Sequence, residues 1–422
     1  MTAVKIRPGP TVGTVRAPPS KSYTHRALVV GFLSRREFHV RNPLDALDTR
    51  ATVTAVRRLG ARVRRERTGW EVSPGKPPRS RTVARIDCGE SGTTLRFVSA
   101  LASLSRRTVE IGGSSRLSER PIDELLSTLR QLGAACEHVH GDGLPLRVRG
   151  PAHGGHVDVD ASRSSQFVSA LLMTLPVLEP ASVLQLTGAP VSRPYVDATV
   201  AVLRRHRIRL TERDTTFRIP GGQRYAGSEF PVPGDASSAA YLWTAAALSG
   251  GRVRVEGVTV DWPQADLAIL DLLVRAGAKV SRDSNGATVE AGSPTPFGMD
   301  LSDSPDLYPL AGALAACIPG RSELRGAAHV ALKESDRRAG TEALARALGA
   351  YAEVRRGNLV IVGADRPRPL RLEHLSDHRM VMSAAVAALA ASGPSRVGAR
   401  EAVAKSYPTF WDDLASVSDG VH

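Results

Sequence analysis

Lysine is scarce in this chain of 422 residues. Lys5, Lys21, Lys76, Lys279, Lys333 and Lys405 stand beside fifty arginines, so arginine serves almost everywhere a cation is wanted. Cysteine is rarer still. Cys88, Cys136 and Cys317 are too few and too scattered for a disulfide framework, and no CxxC or histidine pair has metal-ligand spacing. A reducing cytoplasm suits such a chain. No run of about 18 apolar residues occurs, which excludes a membrane-spanning helix, and MTAVKIRPGP lacks the apolar core of a secretion signal. Aromatic residues make up 5%, no basic run is interleaved with Phe or Tyr, and neither a zinc-finger nor an RNP pattern appears. Stacking platforms for single-stranded nucleic acid are therefore missing. Acidic residues are outnumbered, 42 against 56 basic ones, for a net charge of +14. That surplus fits a nucleic-acid surface, small substrates bearing several negative charges, or simply an arginine-rich solvated exterior.

What the chain has in plenty is repetition. Its length predicts two domains, and its sequence repeats itself about every 72 residues. A polar turn followed by a strongly apolar helix occurs as SKSYTHRALVVGFLS, ESGTTLRFVSALASLS, SRSSQFVSALLMTLP, DASSAAYLWTAAALSG, SPDLYPLAGALAACIPG and SDHRMVMSAAVAALAASG. Ser22, Thr93, Ser165, Ser237, Asp306 and His378 mark equivalent points, with steps of 71, 72, 72, 69 and 72 residues. A second series of helices runs through a Gly-Ala step into a strand at Gly60, Gly133, Gly277 and Gly349, with RRHRIRL near Arg207 in the missing place. Runs such as RVRRERTGWEVS, VRVEGVTV and LVIVGA read as strands. Each unit is thus two helices and three or four strands, with one helix apolar nearly all round and so buried. Six units predict two α/β domains of three units each, crossing in the Pro/Gly-rich stretch 219–238. The first strand, VKIRPG, could pair with either domain.

The starts of the six apolar helices carry Ser, Thr, Asp, Lys and Arg. Serine, threonine and aspartate there can be plain N-caps. Lys21, Arg26, Arg96, Asp306, His378 and Arg379 exceed what a cap needs, and helix starts add unpaired N–H groups and partial positive charge. The second helices begin with SERPIDELL (Arg120), SRPYVDAT (Ser192, Tyr195), KESDRRAGTEAL (Lys333, Glu334, Arg337) and AKSYPTFWDDL (Lys405). Lys21, Lys333 and Lys405 are therefore expected at helix starts, where a compact ammonium does what a guanidinium fork cannot. Lys5, Lys76 and Lys279 have no such setting. Threefold packing would bring the helix starts to one face of each domain, and two facing domains would enclose a positive cleft.

In order and spacing, PSKSYTHRAL, CGESGTTLRF, SERPI, SRSSQF, SRPYVD, GDASSAA, PDLYPL, KESDR, DHRM and AKSYP resemble the motif series of the 5-enolpyruvylshikimate-3-phosphate synthase family, from about residue 5 to residue 415. The resemblance implies a two-domain inside-out α/β barrel. One domain would be residues 1–19 plus 233–422, taking the first strand, and the other residues 20–232. It also implies transfer of the enolpyruvyl group of phosphoenolpyruvate to the 5-hydroxyl of shikimate 3-phosphate, with loss of phosphate and no metal or organic cofactor. The chain would be a cytoplasmic monomer that binds two small anions and neither nucleic acid nor membrane.

By the same resemblance, Lys21, Gly92, Thr93, Arg96, Arg120, Gln166, Arg337, Arg379 and Lys405 would hold phosphoenolpyruvate. Lys21, Ser22, Arg26, Ser164, Ser165, Gln166, Ser192, Tyr195, Asp306, His329 and Lys333 would hold shikimate 3-phosphate. Asp306 would be the base toward the 5-hydroxyl, Glu334 the proton donor to the methylene, and Lys21 the aid to the departing phosphate. The plainer readings are an N-cap at Asp306 and a salt bridge from Glu334 to Arg337. Asp235 and Asp377 read as caps, and His378 either lines the cleft or packs.

Glu90 and His329 stand where many relatives place asparagine, Pro19 where they place glycine and Phe97 where they place proline; these departures bear on binding strength more than on reaction type. The nearest rival is the related UDP-N-acetylglucosamine enolpyruvyl transferase, but residues 112–120 lack the mobile-loop cysteine usual there. A rival of another class is a non-catalytic basic scaffold for nucleic acid.

Overall fold

A computed structural model describes residues 3–75 and 83–422; Lys76 lies outside them. The chain divides into two compact units, one of Met1–Pro18 with Pro233–His422 and the other of Pro19–Val232.

One plan recurs through both units. A strand such as Ala84–Asp87 leads into a buried helix, Gly92–Ala102, which returns to a parallel strand, Val109–Gly112. A second helix, Asp123–Gln131, then feeds the antiparallel hairpin of Ala135–His138 and Leu146–Arg149, which completes the sheet. Among the described residues there are six such sheets, five of four strands and one of three. In the unit of residues 19–232, the sheet around Phe38–Arg41 gets its parallel strand from Glu229–Pro231, at the unit's far end. In the other unit Val12–Arg16 pairs parallel with Arg252–Glu256, and Val4–Ile6 pairs antiparallel with Ser395–Val397 in the three-stranded sheet.

The inside-out arrangement follows from composition. The helix His378–Ala388 is buried at all of its positions and Tyr308–Ala316 likewise, so these helices form the interior and the sheets the exterior. Alanine and glycine let them approach closely. A Cβ placed on Gly312 would lie 2.0 Å from Thr341 Cγ2, on the facing helix Arg337–Ala347. Because each buried helix follows the C-terminal end of a strand with the same crossover, its N-terminus emerges at an equivalent place in each repeat.

Candidate active site

In the unit of residues 19–232 the predicted residues are joined by hydrogen bonds. Lys21 is the first residue of the helix Lys21–Ser34, and its Nζ lies 3.0 Å from Asp48 Oδ2, in the first turn of the helix Leu47–Arg58. Arg26 is 3% exposed. It donates to Ser22 Oγ at 2.5 Å, to the Tyr195 carbonyl at 2.8 Å and to Thr199 Oγ1 at 2.9 Å, and so fixes two other predicted residues. Its guanidinium carbon sits 5.8 Å from the centre of the Phe97 ring, a cation–π contact that proline could not make.

Gly92 opens the next buried helix. A Cβ there would lie 2.6 Å from Arg96 Nη1 and 2.7 Å from Arg120 Cζ, so two guanidinium groups close on the helix start because this residue has no side chain. The third start is tied to the second: Gln166 Nε2 donates to Thr93 Oγ1 at 3.2 Å, while Ser164 caps the helix by accepting from Gln166 N at 3.2 Å. Ser165 is buried in the first turn. Ser192 precedes its helix with φ at 56°, a left-handed conformation uncommon outside glycine. Glu90 is exposed beside the Ser91 cap.

In the other unit the centre is Asp306. It is not an N-cap; it lies in the 3-10 turn Pro305–Leu307, one turn ahead of the helix Tyr308–Ala316. Its Oδ1 accepts from Arg337 Nη1 at 2.8 Å with Lys333 Nζ at 3.8 Å, and its Oδ2 accepts from Arg379 Nη2 at 2.7 Å. Burial pushes this carboxyl up, but Arg379, Lys333 and Arg337 together hold it well below the usual carboxylate range. Arg337, 1% exposed, also donates to Glu334 Oε2 at 2.7 Å and to Asp377 Oδ2 at 2.8 Å. The Glu334–Arg337 salt bridge is thus present as the plainer reading had it.

Asp377 does more than cap. It accepts from Arg379 N at 2.9 Å and also receives Arg337 and Ser335 Oγ. Burial opposes its charge, yet Arg337 draws its carboxyl down to about 2. Asp235 caps by accepting from Ser238 N at 2.8 Å. His378 is fully buried, its Nδ1 3.5 Å from Asp377 Oδ1, so it packs. His329 is buried too, and burial with the nearby Lys333 lowers its imidazole to about 4.

Two lysines depart from expectation. Lys333 follows the 3-10 turn Ala328–Leu332, and Lys405 ends the turn Arg400–Lys405, so neither stands at a helix start. The α-helices begin only at Arg337, after the Asp336 cap, and at Phe410, beyond Pro408. A lysine at the carbonyl end of a turn meets partial negative charge instead.

Two acids were missed by reading the sequence. Asp48 is 5% exposed beneath Lys21. Asp266 is 2% exposed and hydrogen-bonded to Ser237, and burial, with repulsion from Asp306, pushes its carboxyl up to about 6. Both lie in or beside the first turn of a second-series helix, where acids are common, so neither stood out. Among the described residues no group of three or more His, Cys, Asp or Glu side chains could hold a metal ion, and no helix is long and apolar enough to cross a membrane.

The family model described as EPSP synthase (3-phosphoshikimate 1-carboxyvinyltransferase) matches residues 6–414. Proteins named 3-phosphoshikimate 1-carboxyvinyltransferase from Halobacterium salinarum and Thermococcus kodakarensis are 40% and 41% identical to this chain. The first alignment covers 98% of both chains, the second 97% of this chain and 98% of its relative. The solved EPSP synthase of Acinetobacter baumannii superposes with a TM-score of 0.81 at 25% identity, over 100% of this chain and 99% of its own. With the six-fold repeat and the two charged residue sets already in place, these matches show that the chain belongs to the EPSP synthase family.

Proposed function

We propose that this chain transfers the carboxyvinyl group of phosphoenolpyruvate to the 5-hydroxyl of shikimate 3-phosphate, releasing phosphate. The observation that carries the assignment is an ionised carboxylate, Asp306, held among Arg337, Arg379 and Lys333. Alone, such a carboxylate is a weak base. A substrate carboxylate that draws Arg379 and Arg337 to itself frees Asp306 and raises its basicity where the hydroxyl proton must go.

Once the donor's carboxylate has drawn Arg337 from Glu334, Glu334 takes a proton from solvent. The 5-hydroxyl oxygen then attacks C2 of phosphoenolpyruvate while Asp306 takes the hydroxyl proton and Glu334 delivers its own to the methylene carbon. The product of that step is a tetrahedral ketal phosphate. Loss of a methyl proton to Glu334 and cleavage of the C2–O bond to phosphorus then restore the double bond. Lys21 meets the negative charge on the departing phosphate, with Arg96, Arg120 and the Gly92–Thr93 amides beside it. Arg337, Arg379 and Lys405 serve the donor's carboxylate. Ser22, Arg26, Ser164, Ser165, Gln166, Ser192, Tyr195, His329 and Lys333 serve shikimate 3-phosphate. Both residue sets serve this one pair of substrates.

We take the chain to work as a cytoplasmic monomer on these two anions, without metal or organic cofactor and without nucleic acid. Three unpaired thiols fit a reducing compartment. The test is phosphate release from phosphoenolpyruvate in parallel incubations with shikimate 3-phosphate and with UDP-N-acetylglucosamine. Release with the first alone is expected; release with the second alone, or with neither, sinks the proposal.

A further inference from the structure

Lys21 and His25 lie one turn apart on one face of their helix, and Asp48 and Thr52 lie one turn apart on the helix opposite. They make two rungs: Lys21 Nζ to Asp48 Oδ2 at 3.0 Å, and His25 Nδ1 to Thr52 Oγ1 at 2.7 Å. A third helix is keyed into the same ladder. Thr94 Oγ1 is 2.7 Å from Thr52 Oγ1, 3.3 Å from the Asp48 carbonyl and 2.7 Å from Ser91 Oγ, and Ser91 Oγ in turn accepts from Thr94 N at 3.2 Å. His25, Thr52 and Thr94 are all 0% exposed.

One proton order along this chain satisfies the most groups. A hydroxyl has one proton, so Thr94 can bond to the Asp48 carbonyl or to Ser91 Oγ as donor only if Thr52 donates to Thr94. Thr52 must then accept from His25, which puts the proton on Nδ1. His25 Nε2 has no polar partner among the described residues, and a buried lone pair without a partner is tolerated better than a buried N–H without one. The direction His25 to Thr52 to Thr94 to Ser91 satisfies every other group, and bonds in such a chain polarise one another.

We propose that His25 and Thr52 are positioning residues: through Thr94 and Ser91 they fix the Lys21 ammonium against the first-turn amides of Gly92 and Thr93, so that both meet one phosphate. This rests on the reaction proposed above. Neither residue touches substrate; each acts by holding the relative register of three helices. Packing alone would be served equally by valine at position 52, which has threonine's shape without its hydroxyl.

The experiment compares wild type, Thr52→Val and Thr52→Ser in steady-state phosphate release, with Tm measured on each. Thr52→Val is expected to lower kcat/KM for phosphoenolpyruvate by about five- to tenfold, to leave KM for shikimate 3-phosphate within about twofold, and to be rescued by Thr52→Ser. Wild-type kcat/KM in Thr52→Val overturns the proposal whatever its Tm. A second measurement needs no variant: nitrogen-15 spectra of the wild-type histidines should show His25 protonated on Nδ1, and protonation on Nε2 overturns the proton order. If the wild type releases no phosphate, the reaction itself fails, while the spectra still decide whether the chain is ordered as described.

Discussion

Asp306 Oδ2 accepts a hydrogen bond of 2.7 Å from Arg379 Nη2, on the helix that begins one repeat later. Arg337 grips the other oxygen of the same carboxylate, so the carboxylate is both fixed in direction and kept ionised. Asp306→Asn keeps the shape and removes the proposed base. Turnover should fall by about 10²- to 10⁴-fold, with a far smaller change in KM for shikimate 3-phosphate. Unchanged turnover removes Asp306 from the chemistry.

Lys21→Arg tests why this lysine persists among fifty arginines. The ammonium fits against Asp48, whose side chain is 7% exposed, and a planar fork reaches further and points its donors differently. The expected outcome is a loss of about tenfold or more in kcat/KM for phosphoenolpyruvate, on the order of 1.4 kcal/mol of transition-state stabilisation. Near-normal activity would make the lysine an accident of sequence.

Gly92→Ala would drive a methyl group into the space that Arg96 and Arg120 occupy at 2.6 and 2.7 Å. These arginines must then retreat from the helix start where the donor's phosphate is proposed to bind. KM for phosphoenolpyruvate should rise several-fold with KM for shikimate 3-phosphate little changed, and Tm should show that the fold persists. Equal rises in both KM values would place the damage elsewhere.

The fold was legible because burial writes itself in composition. Six helices apolar on every side can only be interior, and their period fixes six units. Single-residue geometry was not legible in the same way. Lys333 and Lys405 were expected at helix starts because KESDRR and AKSYPTF read as openings. The backbone instead spends those residues on 3-10 turns, and the caps or prolines that follow delay the α-helix. Asp48 and Asp266 were hidden for the opposite reason: an acid near a helix's first turn is ordinary, and only burial against Lys21 or Ser237 distinguishes them. Asp377 was read as a cap, which it is, but its hold on Arg337 depends on a residue 40 positions away.

Stability should fall on acidification before the ordinary carboxylates titrate, the loss from two buried histidines outweighing an opposing gain from Asp266, whose carboxyl is already pushed up to about 6. Burial holds His25 at about 3 and His329 at about 4, below the usual imidazole value of 6.5. Each therefore stays neutral in the fold, while the unfolded chain takes up a proton below about 6.5. The sign follows: the contribution is complete above that pH and is lost as pH falls toward 4 and 3. Asp377, held at about 2 against 3.8, adds a further loss only between those two values. Thermal unfolding at pH 7, 5.5 and 4.5 should show Tm dropping, and the drop should shrink in His25→Asn. A Tm that is flat over this range contradicts the neutral, buried histidines.

The most direct measurement is phosphorus-31 NMR of one incubation of the wild-type chain with phosphoenolpyruvate and shikimate 3-phosphate. Both substrate signals should decline together as inorganic phosphate and a new phosphate monoester appear in equal amounts, and omission of shikimate 3-phosphate should stop all change. Phosphate appearing without the second monoester, or phosphoenolpyruvate persisting unchanged beside shikimate 3-phosphate, would contradict carboxyvinyl transfer by this chain.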